Sequence, residues 1–233
     1  MRSIFYLICG LLLLVQLTEG QVNKYGYPLS LKYFEPDELN GAEQNWALTQ
    51  DERGIIYVGS NDRGILKYDG VDWETIMIPN NAAVRTLKRA SDGTIYVGAH
   101  GDFGYLRPNS QSALEYHSLL SKVDSSVDEI NPIYSLIEWN QKIYFCGYGA
   151  IHEYDPENEF IRSFDLEDYN IPYGRLCFEV HGRFYIYDPS AGIFEFNGEA
   201  FAILPGSDFF IRKFVLSILP YSDSEILVIT HRD

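Results

Sequence analysis

The stretch ERGIIYVGSNDRGILKYDGVDW at residues 52–73 decides the fold of this chain. It contains two short runs rich in β-branched and aromatic residues, with a glycine-bearing turn between them. An Asp-Gly turn and a tryptophan follow. Side chains of these kinds favour strands, and an Asp-Gly pair favours a tight hairpin turn. The stretch therefore predicts two antiparallel strands and the beginning of a third.

The same pattern recurs along the chain, which has 233 residues. With Tyr57, Tyr96, Tyr144, Tyr185 and Leu227 taken as equivalent, successive copies are 39, 48, 41 and 42 residues apart. The copies read IIYVGSNDRGILKYDG (55–70), TIYVGAHGDFGYLRP (94–108), KIYFCGYGAIHEYDP (142–156), RFYIYDPSAGIFEFNG (183–198) and EILVIT (225–230). A repeat of about 40 residues is typical of a propeller or a solenoid.

Each copy follows an apolar run and a polar turn, and precedes a third strand and an aromatic-bearing fourth strand. The aromatic residues of the fourth strands are Trp73, Phe160 and Phe201. Four short strands in each unit of roughly 40 residues are typical of a propeller blade. The sequence therefore predicts an all-β propeller with about four and a half four-stranded blades in an incomplete ring. A solenoid or an open sandwich is the alternative.

The five expected blades follow a lead-in segment at residues 21–44. They occupy residues 45–80, 84–120, 133–166, 175–205 and 214–233, and the last of them is truncated. The longer spacing after the second copy falls in residues 109–131, whose polar ends predict a long loop with at most one helical turn. A propeller closes its ring to protect its edge strands, so we expect this chain to be part of a longer protein.

The amino terminus differs from the rest of the chain. Its apolar run, IFYLICGLLLLVQL at residues 4–17, is shorter than the roughly 20 residues of a membrane-spanning helix. A basic start at Arg2 and small residues at Thr18 and Gly20 are typical of a secretory signal peptide. We therefore expect a signal peptide at residues 1–20 and an exported product. An uncleaved membrane anchor is the alternative.

Charge and cysteine content restrict the partners. The formal net charge is −15, which disfavours nucleic acid and anionic lipid surfaces as partners. Beyond the signal segment the cysteines are Cys146 and Cys177, both in apolar strand-like runs. We interpret them as small buried hydrophobic residues, although export would permit a disulfide.

Motifs of catalysis and metal binding do not occur in the sequence. It has no Gly-x-Ser-x-Gly elbow, and its five histidines form no His-x-His or His-Glu-x-x-His pair. Aspartate-rich turns such as residues 50–54 lack calcium-loop spacing and are interpreted as hairpin turns. The sequence therefore predicts no catalytic residue, no metal site and no cofactor. No spacing favours a particular carboxylate pair for glycoside hydrolysis.

Two segments carry a resemblance to a known family. GAEQNWALTQDERGIIYVGSNDRGILKYDGVDW at 41–73 and DGTIYVGAHGDFGYL at 92–106 resemble the propeller repeats of two-component regulators from Bacteroidetes-type bacteria. The resemblance extends from about Tyr25 onward and is weaker in blades 3 and 4. It implies the amino-terminal part of an exported sensor. In that family a small sandwich with a triple-tyrosine motif, a membrane span and an output module usually follow.

The resemblance also implies a location and a division of labour. The intact protein would be anchored in the inner membrane, with this segment in the periplasm. The output module of the family is commonly a histidine kinase or a helix-turn-helix domain, and none of its motifs occurs in these 233 residues. We therefore expect this segment to be non-catalytic and to act through downstream sensor domains or self-association.

A candidate binding site follows from the blade geometry. The loop joining strands two and three opens on the same face as the segment leading into strand one, so these segments ring the mouth of the central channel. Their aromatic, amide and charged side chains suit a small polar molecule or an oligosaccharide. The predicted site comprises Asn45, Trp46, Asn61, Asp62, Arg63, Arg85, His100, Asp102, Phe103, Tyr134, Tyr148 and Arg175.

Other interpretations of these residues remain open. The glycines of the loops would serve only to form tight turns, and the aromatic rings would fill the channel. A secreted propeller enzyme acting on glycans and a protein-binding scaffold are the alternative functions. Tyr68 and Trp73 are expected in the blade core and not in the site.

Overall fold

The computed structural model describes residues 32–39, 43–124, 130–174 and 176–231. The chain divides into two units, Met1–Glu35 and Pro36–Asp233, and residues 32–35 of the first have no regular secondary structure. The predicted signal peptide at 1–20, and most of the lead-in segment at 21–44, lie outside the described residues.

Strands dominate the second unit. Blade 1 contains β1 (Asn45–Gln50), β2 (Ile56–Ser60), β3 (Ile65–Tyr68) and β4 (Trp73–Ile76), and blade 2 contains β5 (Val84–Arg89), β6 (Ile95–Ala99), β7 (Phe103–Pro108) and β8 (Leu114–Ser118). Blade 3 contains β9 (Ile133–Trp139), β10 (Lys142–Gly147), β11 (Ala150–Asp155) and β12 (Phe160–Asp165), and blade 4 contains β13 (Leu176–Val180), β14 (Arg183–Asp188), β15 (Gly192–Phe196) and β16 (Phe201–Ile203). Blade 5 contains β17 (Val215–Pro220) and β18 (Ile226–Thr230).

Every sheet is an antiparallel meander whose strands lie in chain order. The first strands of successive blades are neighbours: β1 contacts β5, β5 contacts β9, β9 contacts β13 and β13 contacts β17. The strand-one edges therefore surround a central axis in an open ring. This arrangement confirms the predicted all-β propeller of four-stranded blades.

Short 3-10 turns are the helical elements of the described residues. They lie at Pro36–Leu39, Pro79–Asn81, Leu120–Lys122, Glu167–Tyr169 and Ser207–Phe210. In the described part of the chain, no helix combines the length and the apolar character that crossing a membrane requires.

The core consists of four apolar layers, one between each pair of neighbouring blades. Alternation along β10 shows how one strand supplies two of them. Ile143 and Phe145 pack in the layer shared with blade 2, whereas Tyr144 and Cys146 pack in the layer shared with blade 4. Because blades 2, 3 and 4 each pack against two neighbours, their central strands bury both faces and read as nearly continuous apolar runs.

Residues Leu114–Ser118 correct one expectation. The polar ends of residues 109–131 predicted a loop there, but Leu114–Ser118 forms β8 and pairs with β7 along its whole length. The Tyr116 hydroxyl and the Ser118 hydroxyl donate to the buried carboxylate of Asp102, at 2.9 and 2.7 Å. The pairing with β7 and these two hydrogen bonds keep Leu114–Ser118 in a strand, although its residue types alone do not indicate one.

The blade-core expectation for Tyr68 and Trp73 agrees with their positions. Their rings stack with centroids 4.7 Å apart, and Tyr68 is buried. The Tyr68 hydroxyl donates to the Gly70 carbonyl at 2.7 Å, so the ring pair also braces the Asp-Gly turn between β3 and β4.

Candidate functional site

Hydrogen bonds join the strand-two-to-three loops to the segments that lead into strand one. In blade 1 the Asn61 N–H donates to the Gln44 carbonyl at 2.9 Å, and in blade 2 the His100 N–H donates to the Ala83 carbonyl at 2.9 Å. In blade 3 the Asn131 side-chain amide donates to the Tyr148 carbonyl at 2.9 Å. These segments therefore share one face of the propeller, the channel mouth.

A β-bulge recurs at the start of strand one. In β1, Asn45 pairs with Ser60 and Ala47 with Gly59, so that Trp46 between them is unpaired. The same shift in register makes Arg85 the bulged residue of β5 and Tyr134 the bulged residue of β9. A bulge re-aims the extra residue out of the regular ladder. Three of the predicted site residues are thus the bulged residues of neighbouring innermost strands.

Arg175 precedes the strand-one residue Leu176, which pairs with Tyr187. Its place in the sequence therefore corresponds to that of Trp46, Arg85 and Tyr134. Arg175 itself lies outside the described residues.

Three predicted site residues from blades 1 and 2 are in contact. The Trp46 indole N–H donates to the Asn61 side-chain oxygen at 3.2 Å. The guanidinium carbon of Arg85 lies over the Trp46 ring, 4.4 Å from its centroid. Trp46 is 52% exposed, so an outer face of the ring remains open to a ligand. Together, Trp46, Asn61 and Arg85 form what we call the bulge cluster.

Charged residues of the loops lie beside this cluster in the chain. The Arg63 Nε and the Asp62 carboxylate are 3.9 Å apart, and both side chains are about half exposed. An ion pair this long and this exposed contributes little to stability. His100 and Asn45 are also exposed. These four side chains are accessible on the loops and strand ends of the channel mouth.

Tyrosines from blades 3 and 4 form a second group on the same face. The rings of Tyr148 and Tyr173 meet edge to face with centroids 6.1 Å apart, and both are partly exposed. Tyr148 and Asn131 line a cavity of about 890 Å³ beside blade 3. The cavity continues along β12 past Asp165, so it is polar as well as aromatic.

Asp102 and Phe103 require a correction to the predicted site. Asp102 is 5% exposed and accepts the two hydroxyl hydrogen bonds from β8. Phe103 is fully buried and packs against Phe145 and His152, with ring centroids 4.5 and 5.0 Å away. Both residues belong to the packing within and between blades 2 and 3, and neither is accessible at the channel mouth.

His152 is a titratable residue that the sequence did not single out. It is 2% exposed, and its Nδ1 lies 2.8 Å from the Ser163 hydroxyl. Burial lowers the pKa of His152 to about 4, so the imidazole is neutral at physiological pH.

The sequence analysis also did not single out Tyr173 and Asn131. Asn131 had a sequence signal, since it shortly precedes a strand-one run, whereas the burial of His152 depends on blade 2.

Comparisons with known proteins identify the fold and no family. No protein-family model matches the chain, and no curated protein matches it. Among solved structures it is similar to virginiamycin B lyase from Staphylococcus aureus, with a TM-score of 0.59 and 13% identity over 80% of this chain. A structure of YCF48 bound to D1 peptide has a TM-score of 0.60 and 13% identity over 89% of this chain.

Two further similar structures are extracellular domains of putative hybrid two-component systems from B. thetaiotaomicron. They are BT3049, with a TM-score of 0.60 and 13% identity over 87% of this chain, and BT4673, with 0.61 and 16% over 86%. The chain spans 63% of the lyase structure, 66% of the YCF48 structure, and 30% and 26% of these two domains. At identities this low, the structural similarity shows a shared propeller fold alone.

Proposed function

We propose that this chain is the exported, ligand-sensing propeller region of a bacterial signal-transduction regulator of the two-component type. It lies in the periplasm, binds a small polar molecule or an oligosaccharide at the channel mouth, and is not itself catalytic. Downstream sensor domains or self-association transmit the bound state. The similarity to two extracellular domains of two-component systems supports this proposal.

The bulge cluster is the observation that carries the proposal. It joins an aromatic face, an amide and a guanidinium from two neighbouring blades at one accessible place. Aromatic rings stack on the apolar faces of sugars and amino acids, while amide and guanidinium groups bond to their polar substituents. A ligand seated there contacts both blades and is therefore sensitive to their relative placement.

Binding to the full chain tests the proposal. Isothermal titration calorimetry against a panel of neutral and acidic oligosaccharides and amino acids is expected to detect a ligand, and chromatography is expected to show that it is unchanged afterwards. Trp46→Ala should weaken binding about tenfold or more, since it removes the stacking surface. Arg63→Ala and His100→Ala should also weaken it without unfolding the blades.

Leu48→Ala is the matched control, because Leu48 lies on the same strand and is 71% exposed. It should leave the affinity unchanged. Turnover of a glycan would favour the alternative of a secreted propeller enzyme. Binding that Trp46→Ala and Arg63→Ala both leave intact would place the site elsewhere. The scaffold alternative would gain support if only a protein, and no small molecule, bound at the Trp46 surface.

A further inference from the structure

Arg85 occupies a special position in the bulge cluster. It is the unpaired residue of the bulge in β5, the innermost strand of blade 2. Its guanidinium carbon lies 4.4 Å from the centroid of the Trp46 ring, across the boundary between blades 1 and 2. The cation is therefore fixed by an aromatic face, which leaves the edge of the guanidinium for hydrogen bonding.

The charge of Arg85 has no acidic partner among the described residues. Arg53, Arg63, Arg89 and Arg183 each lie within 4 Å of a carboxylate, and Arg85 does not. Within the described part of the chain, no carboxylate therefore competes with a ligand for the Arg85 guanidinium.

One donor of Arg85 is also unsatisfied. Its Nε is buried and makes no hydrogen bond. Because this Nε is buried, it is closed to a ligand, and the open edge of the guanidinium is the one formed by its two Nη groups. That edge also has the geometry that binds a two-oxygen anion through parallel N–H···O bonds. A bound oxyanion there would neutralise the cation.

We infer that the ligand of the bulge cluster carries an anionic group, a carboxylate, sulfate or phosphate, and that Arg85 binds it while the Trp46 ring supports the guanidinium. This inference rests on the proposed function, because it names the chemistry of the same site. The overall negative charge repels anions in general. Arg85 therefore selects an acidic ligand by local contact and not by long-range attraction.

The test follows the Nε–H resonance of Arg85 by NMR in the 15N-labelled full chain, assigned by its loss in Arg85→Lys. The probes are sodium sulfate, methyl glucuronide and methyl glucoside. Sulfate and the glucuronide should shift this resonance to saturation, and the uncharged glucoside should not. In Arg85→Gln the glucuronide affinity should fall by about tenfold or more. Arg183→Gln is the matched control and should leave the affinity unchanged, since that side chain is exposed, lies 3.5 Å from Glu195 and starts β14 outside the predicted site.

The outcomes separate this inference from the proposed function. If the glucoside binds as well as the glucuronide and Trp46→Ala weakens both, the site is real and the anion inference is wrong. If sulfate and glucuronide leave the Arg85 resonance unmoved at saturating concentrations, the inference is also wrong. If the glucuronide binds with unchanged affinity in Trp46→Ala and also in Arg85→Gln, both the inference and the proposed site are wrong. Response to sulfate and not to glucuronide would restrict the anion to tetrahedral groups.

Discussion

Gly98 of β6 lies directly against Ile133 of β9, so that a Cβ atom at Gly98 would stand 2.5 Å from the Ile133 Cγ2. Gly59 of β2 has the same relationship to Val84 of β5, with 2.7 Å between the corresponding atoms. In both cases a strand-two glycine admits the first strand of the next blade. The stacking of blades therefore depends on the absence of a side chain at these positions.

Gly98→Ala is expected to destabilise the propeller. The added methyl group must displace Ile133 or Thr86, and overpacking of this kind costs about 1–3 kcal/mol in the free energy of unfolding. Urea denaturation followed by tryptophan fluorescence measures it. In the double variant with Ile133→Ala, the loss should be smaller than the sum of the two single losses. A strictly additive result would show that the two residues do not press on each other.

The buried carboxylate of Glu153 supports a second prediction. Lys142 donates to this carboxylate at 2.5 Å, and the Tyr144 hydroxyl donates to it at 3.0 Å. Glu153 itself is only 5% exposed. Lys142→Met removes the charge partner and should cost about 1–3 kcal/mol, because it leaves a buried anion short of a donor. Thermal unfolding of the purified chain measures the loss.

Lys67→Met is the control for that prediction. Lys67 and Glu74 also face each other across two strands, at 2.8 Å, but the Glu74 side chain is 67% exposed. Solvent screening should keep the cost of this change below about 1 kcal/mol. Equal losses in the two variants would mean that burial of Glu153 does not strengthen its ion pair.

Stability should fall between neutral and mildly acidic pH because of His152. Burial lowers the pKa of this histidine to about 4 in the folded chain, from 6.5 in the unfolded chain. The unfolded state therefore binds the extra proton first, and stability is full above pH 6.5 and decreases as the pH falls toward 4. The expected loss from pH 7 to pH 5 is about 1–2 kcal/mol.

His152→Gln separates this effect from other acid effects. The glutamine stays neutral, so the difference in unfolding free energy between pH 7 and pH 5 should shrink, whatever the variant does to stability at pH 7. Carboxylates with lowered pKa values, such as Asp69 and Asp155, contribute below this window. An unchanged pH difference would show that His152 is accessible to protons in the folded chain.

Cys146 and Cys177 should be unreactive thiols in the folded protein. Both are buried in the layer between blades 3 and 4, and burial raises the pKa of the Cys177 thiol well above its usual range. Ellman's reagent at pH 8 should react slowly with the native chain and rapidly in denaturant. Failure of either thiol to react after denaturation would reveal a disulfide, against their interpretation as small hydrophobic residues.

The repeat made the fold predictable. The spacing of Tyr57, Tyr96, Tyr144 and Tyr185, with polar turns between apolar runs, is a local property of the chain and indicates four-stranded blades. Strand β8 was missed because its residues, LEYHS, have little apolar character. It is held as a strand by pairing with β7, and a local sequence pattern carries no information about that pairing.

The site was predictable in outline and not in its contacts. Loop positions follow from strand order, so Trp46, Asn61 and Arg85 could be placed on one face. Their mutual contact depends on how closely β1 and β5 approach, and their unpaired state depends on a register shift between strands.

The sequence alone determined the class of fold, the number and order of strands in most blades, and the face on which polar loops gather. These follow from residue types and short spacings. Only the tertiary structure decided that Phe103 and Asp102 are buried while Trp46 is open, and that Arg85 lies unpaired over an indole ring. Burial and side-chain pairing depend on the neighbouring blade, which is brought into contact by packing and not by adjacency in the chain.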